Sequence, residues 1–336
     1  MTSTRAAMAM LRAANPVPAP APRAARARRR PLVLLVGATA AASVLAVTLG
    51  GVPLPWAPNS ATPAAADALD RAASAADITA LDPSAAADQY WKITTEGESL
   101  VGSSEDDRFV YWLEQSTRTD YAAVDGSRPT WIQDGPGTVT AVFNDPDVEV
   151  GEVRDNAETY TSNLAPNDVP GSWQGPNAAW LAELPRDPGA LRERLYDDTA
   201  GHGRSRDGEV LVYVADVLRS GIVPAELRAA LFRVLETVPG VDIVARHDDG
   251  MISIGRLETV DGERQEIIID PSTGAYVGER QTAMEYMDGA IPPGTVIYDV
   301  EVTTMLVDEV PHALRDRAQV DHCTVQGDGS VTCSQP

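Results

Sequence analysis

Between Gly208 and Gly240 the apolar positions recur every three or four residues. GEVLVYVADVLRSG aligns Val210, Leu211, Val214, Val217 and Leu218 on one side, and VPAELRAALFRVLETVPG aligns Leu227, Leu231, Leu235 and Val238. A period near 3.6 predicts two amphipathic helices, the second starting at Pro224 and ending at Pro239-Gly240. Arg219, Glu226, Arg228, Arg233 and Glu236 fall mostly on the other faces, so both helices are expected to cover a sheet. Upstream, LPRDPGALRERLYDD predicts a helix opened by Asp187 with Pro188 in its first position, and AADALDRAASAADI has helical spacing around Leu69.

On either side of this block the period shortens to two. QYWKITTEGES, RFVYWLEQSTRTDYAAV and SRPTWIQD read as strands, with Asp125-Gly126 as a turn between the last two. VDIVARHDDG, MISIGRLETVDGERQEIIIDPSTGAYVGERQTAMEYM and GTVIYDVEVTTMLVDEV read likewise, and no helix-length segment separates them. Their connections are therefore predicted to be antiparallel. Strands, then helices, then strands again give an α+β fold, with a curved antiparallel sheet covered by helices. From Gly135 to Pro185 the chain is rich in Asn, Asp, Gly and Pro, which predicts a long loop serving as a binding element or lid.

Charge separates the N-terminus from everything else. Residues 1–30 hold seven arginines and no acid, so of a formal net charge of −22 the rest of the 336-residue chain carries −29. Pro31 to Trp56 comes next without an ionisable side chain, and its Leu32 to Leu49 section reaches the ~18 residues of a membrane-spanning candidate. With the arginines on its N-terminal flank, the span is expected to leave residues 1–30 in the cytoplasm as a disordered basic arm and to export the remainder of the chain. The expected organisation is arm 1–30, transmembrane helix 31–53, linker 54–65 and extracytoplasmic domain 66–336. Cleavage is the competing reading, because RRRPLVLL resembles a twin-arginine signal and PAAADA offers small residues to a signal peptidase. An anchor is preferred because the apolar run exceeds the usual ~7 to 15 residues of a signal. The arm's expected role is to set topology and to meet a cytoplasmic partner, with no nucleic acid as partner.

Only two cysteines exist. Cys323 and Cys333 flank a Gly-Asp-Gly turn, which predicts a disulfide across a hairpin, stable in an oxidising compartment. Zinc is the rival reading, but His322 alone beside two thiols gives no metal-ligand spacing. Metal and other cofactors are not expected.

Catalytic motifs are also missing. EIIIDPSTG places Asp270 at the end of an apolar run, as a phosphoryl-transfer nucleophile would be, yet Ser272 stands where a second acid is needed. Pro271 and Gly274 suit a turn instead, so Asp-Pro-Ser-Thr-Gly is predicted to be a hairpin loop. His202, His247, His312 and His322 lie far apart, no GxSxG elbow occurs, and GHGRSRDG around Ser205 reads as a polar loop before a helix. No catalytic residue is assigned, and the chain is expected not to be an enzyme.

Five of six tryptophans fall between Asp88 and Trp180. Trp91, Trp112 and Trp131 are candidates for a ligand groove on the sheet, alongside the simpler reading that large aromatics pack its inner face.

LRAANPVP, the single span after an arginine block, PAELRAALFRVLETVPGV and EIIIDPSTGAYVG together resemble a family of actinobacterial single-span membrane proteins often encoded beside extracytoplasmic-function sigma factors. The strand, helix and strand order is similar to the curved-sheet fold of periplasmic lipoprotein carriers and of the sensor in the envelope-stress pathway. These resemblances imply a non-catalytic, membrane-anchored sensor that binds a lipid or peptide outside and signals through its arm. About thirty residues without an amphipathic helix are too few for a folded anti-sigma domain. The alternative is an exported hydrolase using a carboxylate pair that sequence does not reveal.

Overall fold

The computed structural model describes residues 60–78, 84–105, 108–144 and 147–334. The arm, the apolar run and most of the linker lie outside the described residues, and so does the expected span. Among the described residues no helix is long and apolar enough to cross a membrane.

Helix α1 (Pro63–Ile78) precedes the long hairpin of β1 (Tyr90–Glu105) and β2 (Arg108–Ala123). Short strands come after it: β3 (Trp131–Asp134), β4 (Gly137–Val142), β5 (Val153–Arg154) and β6 (Glu158–Ser162). A 3₁₀ turn at Pro166–Asp168 leads into α2 (Ala178–Glu183), α3 (Pro188–Asp198), α4 (Arg206–Arg219) and α5 (Ala225–Leu235). The chain then returns to strands β7 (Asp242–Arg246), β8 (Ile252–Glu258), β9 (Glu263–Asp270), β10 (Ala275–Ala283) and β11 (Val296–Val307). It finishes with α6 (His312–Arg315), β12 (Gln319–Val325) and β13 (Val331–Ser334).

All thirteen strands join one sheet in the order β13-β12-β6-β3-β2-β1-β11-β10-β9-β8-β7, with β4 beside β2 and β5 beside β4. The α+β, mostly antiparallel architecture is as the sequence predicts. The exception is β12, which runs parallel to β6 and pairs Val320 with Thr161. The stretch from Gly135 to Pro185 departs from expectation more clearly, since it holds β4, β5, β6 and α2 instead of one long loop. Its strands are two to six residues long, too short for alternation to stand out among the turn-forming residues.

The helical layer is built by the residues whose period predicts it. Val210, Leu211, Val214, Val217 and Leu218 of α4, with Leu227, Leu231 and Leu235 of α5, are buried together with Ile252, Ile254, Ile267 and Ile269 of β8 and β9. Helix α4 packs on β8, β9 and β10, α5 on α1 and α3, and α1 on β7. Gly208 near the start of α4 lies against Arg256 and Glu258, while Gly221 just past its end lies against Ile93 and Thr304. Helix α4 therefore crosses the sheet from β8 to the junction of β11 with β1. Each fully buried leucine contributes about 1.5–3 kcal/mol, so this layer supplies much of the stability.

Local chemistry sets the ends of these elements. Asp187 accepts the Ala190 N–H at 2.9 Å and opens α3, with Pro188 in the first turn. Ser205 accepts the Gly208 N–H at 3.0 Å and opens α4, while donating its hydroxyl to Glu258. Asp270 closes the β9–β10 hairpin by accepting from the Ser272 N–H at 2.8 Å and from the Ser272 and Thr273 hydroxyls at 2.7 and 2.8 Å. Burial pushes this carboxyl up, but those hydrogen bonds outweigh it and hold it below the usual range. Gly274 adopts φ +70° because the turn demands it, and a Cβ there would lie 2.4 Å from the Ala72 carbonyl oxygen of α1. Asp270 is thus occupied in a turn.

Candidate functional site

The structure does not bring Trp91, Trp112 and Trp131 into one groove. Trp91 pairs across to Ala122, and ten residues along β2 separate that position from Trp112, about 33 Å at the strand rise. Trp131 pairs with Tyr121, which alternation puts on the opposite face of the sheet from Trp112. Trp112 packs with Val110 and Val139 beneath the Arg154 guanidinium, 4.9 Å away. Trp131 packs with Tyr121, Val310 and Leu314. Trp173 and Trp180 meet edge to face at 5.0 Å within the helical layer. Four of these indoles serve packing, Trp112 and Trp131 on opposite faces of the sheet and Trp173 and Trp180 among the helices, and Trp91 is half-buried near the start of β1.

A cleft lies instead near the β13–β12 edge of the sheet. It has a volume of about 360 Å³ and is bounded by β3, β6, the 164–169 segment, β12 and β13. Ile132, Leu164, Ala165, Pro166, Val169, Val331 and the Cys323–Cys333 disulfide form its apolar walls, with Tyr160, Ser162 and Asp321 as polar members. It forms where the chain leaves β6 for the helical layer. Asn177, which caps α2, donates to the Pro166 and Val169 carbonyls at 3.0 and 2.9 Å and so holds the segment above the sheet. Asn163 ties the segment's start to β12, accepting the Cys323 N–H at 2.5 Å and donating to the Cys323 carbonyl at 3.1 Å.

The disulfide that the sequence predicts is the cleft's far wall. Cys323 and Cys333 are directly opposite in the β12–β13 hairpin and are bonded. His322 is exposed beside them. Among the described residues no group of His, Cys, Asp and Glu is arranged to hold a metal ion.

Beside the cleft, on the same face, a polar cluster spans three strands. Register aligns Asp120, Ile132 and Tyr160 in one row and Arg118, Asp134 and Glu158 in the next. The Arg118 guanidinium meets Asp120 at 2.9 to 3.1 Å, donates to the Tyr160 hydroxyl at 3.2 Å and reaches Asp134 at 3.7 Å. Burial, with Asp120 and Glu158 nearby, pushes the Asp134 carboxyl above its usual value in spite of Arg118. Alternation in QSTRTDY puts Arg118 and Asp120 on one face, but nothing in the sequence indicates that Asp134 and Glu158 arrive beside them.

A second ionic group lies under α4. Glu279 of β10 is fully buried and bound by Arg219, which also pairs with Asp216 at 2.5 Å. Tyr276 and Tyr298 lie close enough to feel its charge. Burial pushes Glu279 up, and Arg219 opposes the shift. This group fastens the C-terminal end of α4 to the sheet and lies away from the cleft-lining residues.

The histidines are dispersed. His247 shares a hydrogen bond with Ser253 at 2.9 Å, His202 lies near Tyr213, and His312 stands beside Arg315. Comparison with family models, curated proteins and solved structures finds no match to this chain.

Proposed function

We propose that this chain is a non-catalytic, membrane-anchored extracytoplasmic sensor whose outer domain takes an envelope ligand, a lipid or a peptide, into the cleft beside the disulfide hairpin. The observation that carries this reading is the cleft itself: apolar walls around about 360 Å³, with a few polar groups at one side. Sites for small molecules have that composition and run from ~300 to 1,000 Å³. The disulfide supports an oxidising compartment. The arginine block and the apolar run support an anchor with its N-terminus in the cytoplasm.

A curved sheet is part of the same proposal. A Cβ at Gly97 or Gly278 would lie 2.0 Å from a β11 carbonyl oxygen, a close approach between neighbouring strands that glycine permits and that bending the sheet around β11 would produce. In one respect the domain differs from the carriers it resembles: buried side chains fill the space between α4, α5 and the sheet. The ligand is therefore assigned to the uncovered end. A signal to a cytoplasmic partner of the arm, linked to a sigma factor, is what the family resemblance implies.

Native mass spectrometry of the outer domain purified from an oxidising compartment, with subsequent lipid extraction, tests the reading. A co-purifying amphiphile or peptide that disappears when Ala165→Trp fills the cleft is expected. An empty domain whose melting temperature ignores envelope extracts would overturn it.

One observation favours an exported hydrolase: Asp134, its carboxyl pushed up by burial, shares one face with Asp120 and Glu158, so carboxylates that an acid and a base would need lie together. Hydrolysis of an envelope substrate that is lost in Asp134→Asn would establish it.

A further inference from the structure

We infer that the cleft selects an amphiphilic cation, an apolar body carrying a single positive charge. This rests on the cleft being the ligand site, and it adds the ligand's chemistry. The body is set by the walls, where Ile132, Leu164, Ala165 and Val331 present only apolar surface. The charge is set by the polar side. Among the described residues no Lys, Arg or His lines the cleft, and the strand residue Asp321 belongs to its wall. Tyr160 belongs to both the lining and the polar cluster, because its hydroxyl accepts from Arg118 at 3.2 Å.

Beyond Tyr160 the balance is negative. Asp120, Asp134 and Glu158 share one face with a single guanidinium. Arg118 is already committed to Asp120, within 3.1 Å, and leans on Asp134 at 3.7 Å. Glu158 is exposed at the end of the row. An anionic head at this margin would face three carboxylates that share one guanidinium, and a neutral one would gain at most a hydrogen bond from them. A cationic head can lie against Asp134 and Glu158 while the apolar body fills the cleft. The outer part of the chain carries strong net negative charge, which also draws cations towards it at low ionic strength.

Three probes of one shape separate the possibilities: 4-phenylbutyltrimethylammonium, 4-phenylbutanol and 5-phenylpentanoate. Each is titrated calorimetrically against the full chain in zwitterionic lipid nanodiscs, with empty nanodiscs subtracted. The cation is expected to bind about fivefold tighter than the anion, the ratio given by ~1 kcal/mol of partly screened attraction. Glu158→Gln combined with Asp134→Asn should remove that advantage without touching the walls, and high salt should shrink it. Filling the cleft with Ala165→Trp, or with Val331→Trp on the exposed strand if the first variant misfolds, should abolish binding of every probe. Equal binding of all three, lost on filling, would overturn the charge selectivity and leave the cleft as a site. Tighter binding of the anion would overturn it likewise. Absence of binding by every probe, or binding that survives both filling variants, would overturn the cleft as the ligand site.

Discussion

Replacing both cysteines, as Cys323→Ser with Cys333→Ser, tests how the cleft's far wall is held. The bond closes a loop of sequence separation 10. For about ten residues the chain-entropy relation gives ~2.7 kcal/mol, as an effect on the hairpin. Strand β13 has four exposed residues and, among the described residues, pairs only with β12, and a lone two-stranded hairpin is marginal in water. Strand β12 keeps other support from β6 and from the two Asn163 hydrogen bonds at 2.5 and 3.1 Å. The cost should therefore appear as fraying of β13 while the domain stays folded. Hydrogen exchange at the β13 amides is expected to speed up by about 100-fold, the equivalent of ~2.7 kcal/mol. The urea midpoint of the whole domain should move little. Unchanged exchange at β13 would refute the reasoning. So would a global loss of the full ~2.7 kcal/mol, because the hairpin would then be part of the cooperative core.

The packing sets further outcomes. Arg219→Ala leaves the fully buried Glu279 without its main cation and should cost about 3–5 kcal/mol near neutral pH in urea melts. Burial holds the Glu279 pKa above its unfolded value, and losing Arg219 raises it further, so the folded state favours the protonated acid. The deficit should be full above the variant's raised Glu279 pKa and shrink as pH falls through it towards the usual carboxylate range; a deficit constant with pH would contradict this. Gly274→Ala puts a side chain at φ +70° against the Ala72 carbonyl, and should lower the melting temperature by the equivalent of at least ~1–2 kcal/mol. Phe232→Ala, in the packed centre of α5, should cost about 3–5 kcal/mol in denaturant, whereas Gln115→Ala at an exposed position of β2 should stay within ~0.5 kcal/mol.

The parts of the fold legible in the sequence are those whose information is local. Leu227, Leu231 and Leu235 announce α5 by spacing alone, Asp270 to Gly274 announce a turn by their own hydrogen bonds and φ, and two cysteines around Gly-Asp-Gly announce their bond. The cleft is legible only in part. Its disulfide could be read, but its floor depends on β6 meeting β12, a parallel pair separated by helices α2 to α6 and five more strands. The tryptophan groove fails for a related reason. Trp112 and Trp131 are both large aromatics on strands, and only the pairing of Trp131 with Tyr121 reveals that they point to opposite faces. Asp134 and Glu158 are likewise anonymous among the chain's 49 acids until register sets them beside Arg118.

The most direct test of the central claim is site-specific photocrosslinking in the full chain, expressed under oxidising conditions that keep the Cys323–Cys333 bond formed. A photoreactive residue replaces Leu164 inside the cleft or the exposed Gln115 of β2. Capture of a discrete low-mass species at position 164 and none at position 115 is the result expected of a ligand-binding cleft. The same products at both positions, or none at 164, would contradict it.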